Sequence, residues 1–310
     1  MAGILIYSEK SKLALELLTA ARLIAKDNGL DVKVLCINSD EQAEEMVARG
    51  AETYHIKGQI IELADTAAVA SALQEAVGKL DTSIVLLSSN RRGKELAGRL
   101  AQKLDAGCLS DVTSLQVKGG KVQCSRNALG GATISVQQIE TDRQVIALAP
   151  RSFEPASPQD GGSLKEMAIL VGASNIKVLE SRSKAGDVVD IEAAEILVVV
   201  GQGMEQADML LAESIARSLG GEIACSKPIA TDKKWLPEDR IVGLSGKKCK
   251  PQLAIILGVS GQVQFNVGIR DANTIVAINN DENAYILQMA DYAMVADLKV
   301  ILPELSKTLG

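Results

Sequence analysis

Residues 253–264 read Leu-Ala-Ile-Ile-Leu-Gly-Val-Ser-Gly-Gln-Val-Gln, an uninterrupted apolar run that leads into a turn of small and polar residues. The run predicts a buried parallel strand, and the turn predicts the start of a helix. A strand, turn and helix in that order aim free backbone N–H groups and the positive end of a helix dipole at one point, which suits a phosphate. A second apolar run, Thr274–Ile278, ends in Asn279. Polar residues at successive strand ends line one crevice, and open α/β sheets bind nucleotide cofactors there.

Strands and helices alternate on the N-terminal side of this stretch. The stretch 194–200, apolar apart from Glu195, predicts another buried strand, and helical spacing follows over 205–219 before a short strand that ends at Cys225. The first 110 residues alternate in the same way, with strands predicted at Ile4–Tyr7, Val32–Ile37, Thr53–Ile56 and Ile84–Ser88. Alternation of this kind is typical of a parallel sheet with helices on both faces.

The stretch from Gly107 to Ala149 has a different sequence pattern. Short alternating runs separated by Gly-rich turns predict hairpins packed beside the parallel sheet, at Asp111–Val117, Lys121–Arg126, Ala132–Gln138 and Gln144–Ala149. The charged segment 178–189, which lacks a bulky apolar stripe, is the best domain boundary. The sequence therefore predicts an α/β protein of two doubly wound domains. Residues 1–187 form an N-terminal domain with added β-hairpins, and residues 188–310 form a parallel-sheet domain that holds the cofactor.

The composition argues against several classes of protein. A formal charge of −6 and a pI near 5.1 leave no basic surface for nucleic acid. No apolar run approaches the roughly 20 residues that span a bilayer, so stable membrane insertion is not expected. The first eight residues read as a strand rather than as a signal peptide. Five cysteines without C-x-x-C spacing predict reduced thiols, and a cytoplasmic location, or the mitochondrial matrix in a eukaryote, is expected.

Three other features could suggest different chemistry. His55 is the one histidine, and it falls on a predicted strand without a paired motif, so hydrolase chemistry is poorly supported. Gly201-Gln202-Gly203 lacks the third glycine of a dinucleotide fingerprint, because position 206 is Gln. The basic segment Asn90–Lys94 lies where a strand meets a helix, and surface or interdomain ion pairing is favoured there over an anion site.

The order of the pieces after residue 200 resembles the FAD-binding half of the alpha subunit of electron transfer flavoprotein. The resemblance rests on Cys225–Pro228, Ile241–Gly246, Gly258–Phe265 and Val295–Leu298, and on the closing segment Leu302–Leu305. It extends more generically over nearly the whole chain. Within the family, the chain looks closest to the FixB-like branch, which is linked to anaerobic acyl-CoA or carnitine metabolism and to nitrogen fixation.

The resemblance implies a bound FAD and assigns residues to it. Ser226 matches a serine that bonds the flavin, Ser260 and Gly261 match the pyrophosphate site, and Asn279 and Asp297 match the adenosine end. No catalytic residue and no metal ligand is implied. The full set of implied cofactor-binding residues is Gln202, Ser226, Lys227, Val242, Gly243, Leu244, Ser245, Ser260, Gly261, Gln262, Val263, Gln264, Phe265, Asn279, Asp297 and Leu298.

Four of these residues depart from the family pattern. Gln202 and Lys227 stand where the family usually has arginines, one reaching the flavin or its phosphates and one stacked on the isoalloxazine ring. Leu244 replaces a frequent glutamine, and Phe265 replaces a histidine that donates a hydrogen bond beside the flavin. Lysine keeps the charge of arginine but loses its planar guanidinium. Phenylalanine cannot donate a hydrogen bond at all.

The resemblance implies an electron carrier rather than an enzyme with an organic substrate of its own. The flavin accepts electrons from a dehydrogenase, an acyl-CoA dehydrogenase among the expected partners, and passes them to an acceptor. The chain works as a heterodimer with a beta subunit. The alternative is a regulatory or enzymatic α/β protein that binds an adenine nucleotide in the same crevice without flavin redox chemistry. The departures at Gln202, Leu244 and Phe265 keep that alternative open.

Overall fold

The computed structural model describes residues 3–131, 133–172, 174, 176–180 and 189–309. The chain divides into two compact units, Met1–Ser181 and Arg182–Gly310. The predicted boundary between residues 187 and 188 lies outside the described residues, so it stays a prediction. Each unit has its own sheet, and the two are described separately.

The first unit is built on one nine-stranded sheet, in the part of the chain that the structure describes. Its strands are β1 Ile4–Tyr7, β2 Val32–Cys36, β3 Glu52–Lys57, β4 Ile84–Ser88, β5 Gly107–Lys118, β6 Lys121–Ala128, β7 Thr133–Gln138, β8 Gln144–Leu148 and β9 Ser163–Ala168. Its helices are α1 Ser11–Asn28, α2 Asp40–Val47, α3 Thr66–Leu80 and α4 Arg91–Leu104. The strand order is β7-β6-β5-β8-β4-β1-β2-β3-β9.

Most of this sheet is parallel, and an antiparallel arm extends one end of it. All pairings from β5 through β8, β4, β1, β2 and β3 to β9 are parallel. The strands β5, β6 and β7 pair antiparallel, so two of the predicted hairpins are confirmed. They continue the same sheet instead of packing beside it. The run at 144–149 is not part of a hairpin, because β8 is buried along its whole length and joins the parallel core between β4 and β5.

Local sequence signals explain where the helices of this unit begin and end. Asp65 caps α3 by accepting the N–H groups of Ala67 and Ala68 at 3.0 and 3.2 Å. Helix α1 ends at Gly29, which adopts φ +63° and donates its N–H to the carbonyl of Ala25. Glycine tolerates that left-handed conformation without steric cost.

The second unit is a five-stranded sheet, again within the described residues. Its strands are β10 Ile196–Val200, β11 Glu222–Cys225, β12 Leu253–Leu257, β13 Thr274–Asn279 and β14 Tyr292–Val295. Its helices are α5 Met209–Ser218, α6 Lys227–Thr231, α7 Val263–Asn266, α8 Tyr285–Met289 and α9 Leu298–Leu309. The order is β11-β10-β12-β13-β14, and every pairing is parallel. The carboxyl ends of all five strands therefore meet at one edge.

The continuous apolar runs of β10 and β12 follow from burial on both faces of this sheet. Leu197 and Val199 pack into the apolar cluster on one face, and Val198 and Val200 pack into the cluster on the other. Because successive side chains of a strand point to opposite faces, a strand with two covered faces needs apolar residues at every position. The fold class predicted from the sequence is confirmed.

Two helices of this unit differ from the prediction. The segment predicted as a helix over 205–219 starts with a 3₁₀ turn at Gln206–Asp208 and becomes α-helical in α5. The helix predicted after the turn at 258–262 is only the four residues of α7. A single turn sums few peptide dipoles, so backbone N–H groups, and not a helix dipole, are what this turn offers a phosphate. Among the described helices, none combines the length and the apolar character that crossing a bilayer requires.

Candidate cofactor site

A crevice of about 460 Å³ opens at the carboxyl edge of the second sheet. Its volume lies within the range of about 300–1,000 Å³ that ligand pockets occupy. It brings together residues from four separate stretches of the chain. The lining residues are Gln202, Ser226, Lys227, Pro228, Val242, Gly243, Leu244, Ser245, Val259, Ser260, Gln262, Gln264 and Phe265.

Most of the sequence-predicted residues line this crevice. Of the predicted set, Gly261, Val263, Asn279, Asp297 and Leu298 are not among the lining residues. The structure adds Pro228 and Val259, which the sequence interpretation missed. Both are apolar residues inside stretches that the prediction already singled out for their polar groups, so continuity along the chain was the one signal available for them.

The turns after β10 and β12 pack backbone against backbone. Gly201 donates its N–H to the carbonyl of Leu257 at 2.8 Å, and Gly203 donates to that of Gly258 at 2.9 Å. A Cβ atom on residue 201 would lie 2.4 Å from the carbonyl oxygen of Gly258, which is closer than side chains tolerate. The glycine pair therefore serves this close approach of two strand ends, and Gln202 between them lines the crevice.

The turn after β12, residues 258–262, is held from behind by the neighbouring strand end. Asn279, at the end of β13, is 7% exposed and donates its Nδ2 to the carbonyl of Val259 at 2.8 Å. Its Oδ1 accepts the N–H of Asp281 at 3.0 Å. Gly261 has φ +80°, and a Cβ there would lie 2.3 Å from the backbone nitrogen of Ile286. Asn279 therefore stabilises the turn at 258–262. The contact of Asn279 with the adenosine end stays a prediction.

A second turn, residues 243–246, forms the opposite wall. Leu244 donates its N–H to the carbonyl of Gln264 at 2.7 Å, which fixes this turn against the start of α7. Gly243 has φ +137°, and a Cβ there would lie 2.8 Å from the same carbonyl oxygen. The side chain of Leu244 is 65% exposed although it is apolar. Ser245 beside it has an exposed hydroxyl that lines the crevice.

Two polar groups at the end of β11 are available to a ligand. Ser226 is only 8% exposed, and its hydroxyl makes no hydrogen bond to any residue that the structure describes. Lys227 is exposed, and its ammonium has no ion-pair partner among the described residues. The preceding residue, Cys225, is buried, and burial raises the pKa of its thiol to about 12. The thiol therefore stays protonated, and it is no thiolate nucleophile beside the crevice.

A second lysine fixes the turn that carries Gln202. Lys233 donates its Nζ to the carbonyls of Gln202 and Met204, both at 3.2 Å. The same ammonium lies 4.2 Å from the ring centroid of Trp235, within the range of a cation–π interaction. Its charge is therefore held next to the crevice but directed at backbone carbonyls.

Three more of the predicted residues have structural functions in this molecule. Phe265 is 7% exposed and packs in the apolar cluster with Val242 and Ile269, while part of it lines the crevice. Asp297 caps α9, because its Oδ1 accepts the N–H of Lys299 at 2.9 Å. Leu298 is buried, and a Cβ on Gly258 would lie 3.0 Å from its Cδ1. The ligand contacts of these residues stay predictions.

Residues outside the crevice that could suggest other chemistry are engaged elsewhere. His55 lies on β3, is 3% exposed and has its Nδ1 3.2 Å from Asp40. Asn90 caps α4 by accepting the N–H of Gly93 at 2.7 Å, and Arg92 pairs with Glu9. Lys94 pairs with Asp111 at 2.8 Å, so the basic segment forms ion pairs as expected. Within the described ranges, no group of His, Cys, Asp and Glu side chains could hold a metal ion.

Two family models together match residues 6–270 of the chain. Residues 6–196 match the electron transfer flavoprotein domain, and residues 190–270 match the electron transfer flavoprotein FAD-binding domain. The chain belongs to the electron transfer flavoprotein family. It is an alpha subunit of that family, it binds FAD, and the adenine-nucleotide alternative without flavin is not favoured.

Named relatives agree with this assignment. The alpha subunit is 36% identical over 230 residues to the protein FixB of Escherichia coli O7:K1, a match that covers 73% of this chain and 74% of that protein. It is 35% identical over the same length, with the same coverage, to FixB of Escherichia coli O17:K52:H18. Among solved structures, MurG of Acinetobacter baumannii is 12% identical with a TM-score of 0.34, over 99% of this chain and 89% of that one. A score that low supports no conclusion.

The crevice has the features that a dinucleotide cofactor requires. Its size suits a ligand of this class, the turn at 258–262 offers backbone N–H groups, and the hydroxyl of Ser226 is unengaged within the described structure. When bound, FAD supplies reversible electron transfer. The residues that line the crevice would bind and orient the cofactor, and they would set the charge and the access of water around it.

Proposed function

We propose that the alpha subunit holds one FAD in the crevice of its second unit and, together with a beta subunit, carries electrons from a dehydrogenase to an acceptor. The observation that supports this most is that three groups able to bind the cofactor lie at one crevice. The turn at 258–262, the unengaged hydroxyl of Ser226 and the unpaired ammonium of Lys227 all meet there, within the described structure.

Each part of the cofactor binds at its own residues, in the crevice or beside it. The pyrophosphate binds at Ser260 and Gly261, and the adenosine end extends toward Asn279 and Asp297. The isoalloxazine ring lies between Lys227 and the turn at 243–246. Lys227 places a positive charge beside the ring, and the hydroxyls of Ser226 and Ser245 donate hydrogen bonds to it. This arrangement leaves the flavin as the only reacting group.

We also propose that the alpha subunit is a carrier without an organic substrate of its own. Members of this family are electron carriers. Support from this chain comes from the residues near the crevice. Cys225 keeps its proton, because burial raises the pKa of its thiol, and the lone histidine belongs to β3 of the first unit. We propose that no nucleophile or general base of this chain acts on a substrate.

A beta subunit completes the proposed complex, as alpha subunits of this family normally pair with one. The edge strand β7 supports the need for a partner. Ile134 and Val136, two residues apart on one face of β7, are 66% and 58% exposed, and Leu129 before the strand is 83% exposed. An open strand edge with apolar side chains is a surface that proteins usually cover.

We further propose that the complex works in the cytoplasm, or in the mitochondrial matrix of a eukaryotic source. All five cysteines are free. Reduced thiols are typical of proteins that work in a reducing compartment.

The direct experiment is purification of the protein from its own source, followed by an absorbance spectrum and size-exclusion chromatography. We expect a yellow heterodimer with flavin absorbance, which a dehydrogenase and its substrate bleach. A colourless protein that takes up no added FAD would contradict the cofactor assignment. A stable, flavin-loaded and redox-active monomer would contradict the heterodimer.

A further inference from the structure

Three successive carbonyl groups of the turn at 258–262 accept hydrogen bonds from the protein interior. The carbonyl of Val259 accepts Nδ2 of Asn279 at 2.8 Å, and that of Ser260 accepts the N–H of Ile286 at 3.3 Å. The carbonyl of Gly261 accepts Nδ2 of Asn266 at 2.8 Å. The donors come from β13, α8 and α7, so three different elements hold one turn.

The direction of these carbonyls determines the direction of the N–H groups. In a trans peptide the N–H points opposite to the C=O of the same plane, and the described chain has no cis peptide. The N–H groups that share a peptide plane with these three carbonyls are those of Ser260, Gly261 and Gln262. None of the three donates a hydrogen bond to a described residue. All three N–H groups therefore point away from the donors that hold the turn, and two of the three residues, Ser260 and Gln262, line the crevice.

Asn266 is an unusual residue for its position, because it is a polar side chain that is 1% exposed. Its Nδ2 serves the carbonyl of Gly261, and its buried Oδ1 has no hydrogen-bond partner among the described residues. Leaving a buried amide oxygen unpaired costs free energy, and an apolar side chain of the same size would avoid that cost. The hydrogen bond from the Asn266 side chain to the carbonyl of Gly261 is therefore what distinguishes this residue from a leucine.

We propose that Asn266 is a positioning residue for the pyrophosphate of the dinucleotide. By holding the carbonyl of Gly261 inward, it keeps the N–H of Gln262 directed at the phosphates, in line with the N–H groups of Ser260 and Gly261. A row of backbone N–H groups in a turn is an anion-binding concavity. This inference rests on the proposed function, and it adds a residue that neither lines the crevice nor touches the cofactor.

The test compares Asn266→Leu with Asn273→Leu in the full-length protein freed of bound nucleotide. Asn273 is an exposed asparagine whose Nδ2 donates to Gln252 at 2.6 Å, which makes it a matched control. ADP and AMP are the probes, because they differ by the second phosphate. We expect the wild type and Asn273→Leu to prefer ADP over AMP, and Asn266→Leu to lose about tenfold of that preference while AMP binding is unchanged. An unchanged ratio would overturn the inference.

A pH series with Asn266→Asp adds a readout that loss of packing alone would not give. A protonated carboxyl donates to the carbonyl of Gly261, and an ionised one cannot. We expect the ADP preference of this variant to recover at acidic pH and to fall at alkaline pH, while Asn266→Leu shows no such recovery. A pH-independent preference in Asn266→Asp would contradict the proposal.

If the variants do not fold, the wild type still tests the step on which the inference depends, the direction of these N–H groups toward the phosphates. In protein labelled with ¹⁵N at glycine and glutamine, the amide signals of Gly261 and Gln262 should shift on addition of ADP. Signals that do not move would refute the inference. Failure of the wild type to bind either FAD or ADP would instead refute the proposed function, so the two failures are distinguishable.

Discussion

Lys227 carries an unneutralised positive charge at the crevice, since its ammonium has no ion-pair partner in the described part of the chain. A positive charge stabilises the reduced, more negative state of a flavin. We therefore expect Lys227→Met to lower the flavin potential by tens of millivolts. For scale, 59 mV in a one-electron step is a factor of ten in the equilibrium, or about 1.4 kcal/mol. Redox titration measures the shift, and Lys307→Met, which removes an exposed lysine at the end of α9, is the control.

Phe265 should affect the potential in the opposite direction. Phe265→His introduces a hydrogen-bond donor beside the crevice, so we expect the potential to rise by tens of millivolts. Because Phe265 is only 7% exposed, the substitution also costs packing in the apolar cluster. Phe265→Leu changes the packing without adding a donor and should leave the potential unchanged. If neither Lys227→Met nor Phe265→His moves the potential, these side chains do not face the isoalloxazine ring.

At the scale of elements, the close approach of two strand ends gives a stability prediction. A Cβ on Gly201 would lie 2.4 Å from the carbonyl oxygen of Gly258 and 2.5 Å from Cγ2 of Val259. We expect Gly201→Ala to lower the free energy of unfolding by about 1–3 kcal/mol, since the backbone must move apart. Urea unfolding measures the change. Gly78→Ala in α3, where no atom lies within 4 Å of the new Cβ, should instead stabilise the protein.

Most strands of the two sheets could be predicted from the sequence, with β9 and β14 as exceptions, whereas the links between the strands could not. The apolar run of β12 is a strand signal by itself, because burial on both faces requires apolar side chains throughout. The hydrogen bond from Asn279 to Val259 depends on β13 lying next to β12, a pairing that no local pattern specifies. For the same reason the sequence predicts a hairpin strand where the structure has the central strand β8. Five consecutive buried residues fit either kind of strand equally well.

The residues of the site also divide into those that a local sequence pattern indicates and those that depend on contacts between distant elements. Ser226, Lys227 and the turn at 243–246 were predicted and line the crevice. Asn266 was missed, because a buried asparagine inside a helical turn has no sequence signature that separates it from a surface residue. Its function depends on the position of the Gly261 carbonyl, which the three-dimensional structure alone provides.

At the scale of the whole molecule, cofactor binding should raise the thermal stability of the alpha subunit. A ligand at 100 times its dissociation constant adds about 2.7 kcal/mol by mass action. We expect FAD to raise the melting temperature of the wild type and to raise that of Asp297→Ala less. Asp65→Ala, which removes the cap of α3 in the first unit, should lower the baseline but keep the full increment with FAD. An equal increment in Asp297→Ala would remove Asp297 from the site.

Assembly is the second property of the whole molecule that can be tested. We expect Ile134→Lys to weaken association with the beta subunit at least about tenfold, because it places a charge on the exposed apolar face of β7. Gln137→Lys adds the same charge to the other face of that strand and should have little effect. Analytical ultracentrifugation of the mixed subunits measures both. Equal association of Ile134→Lys and the wild type would exclude this face of β7 from the interface.

The ammonium of Lys233 links the turn that carries Gln202 to the ring of Trp235, the one tryptophan of the chain. Any movement of that turn must either break this contact or carry the lysine with it. The chain therefore contains an intrinsic fluorophore coupled to one wall of its crevice. Indole emission should change in intensity as the crevice fills, and energy transfer to a bound flavin should quench it. Loading of the protein can thus be followed in real time without an added label.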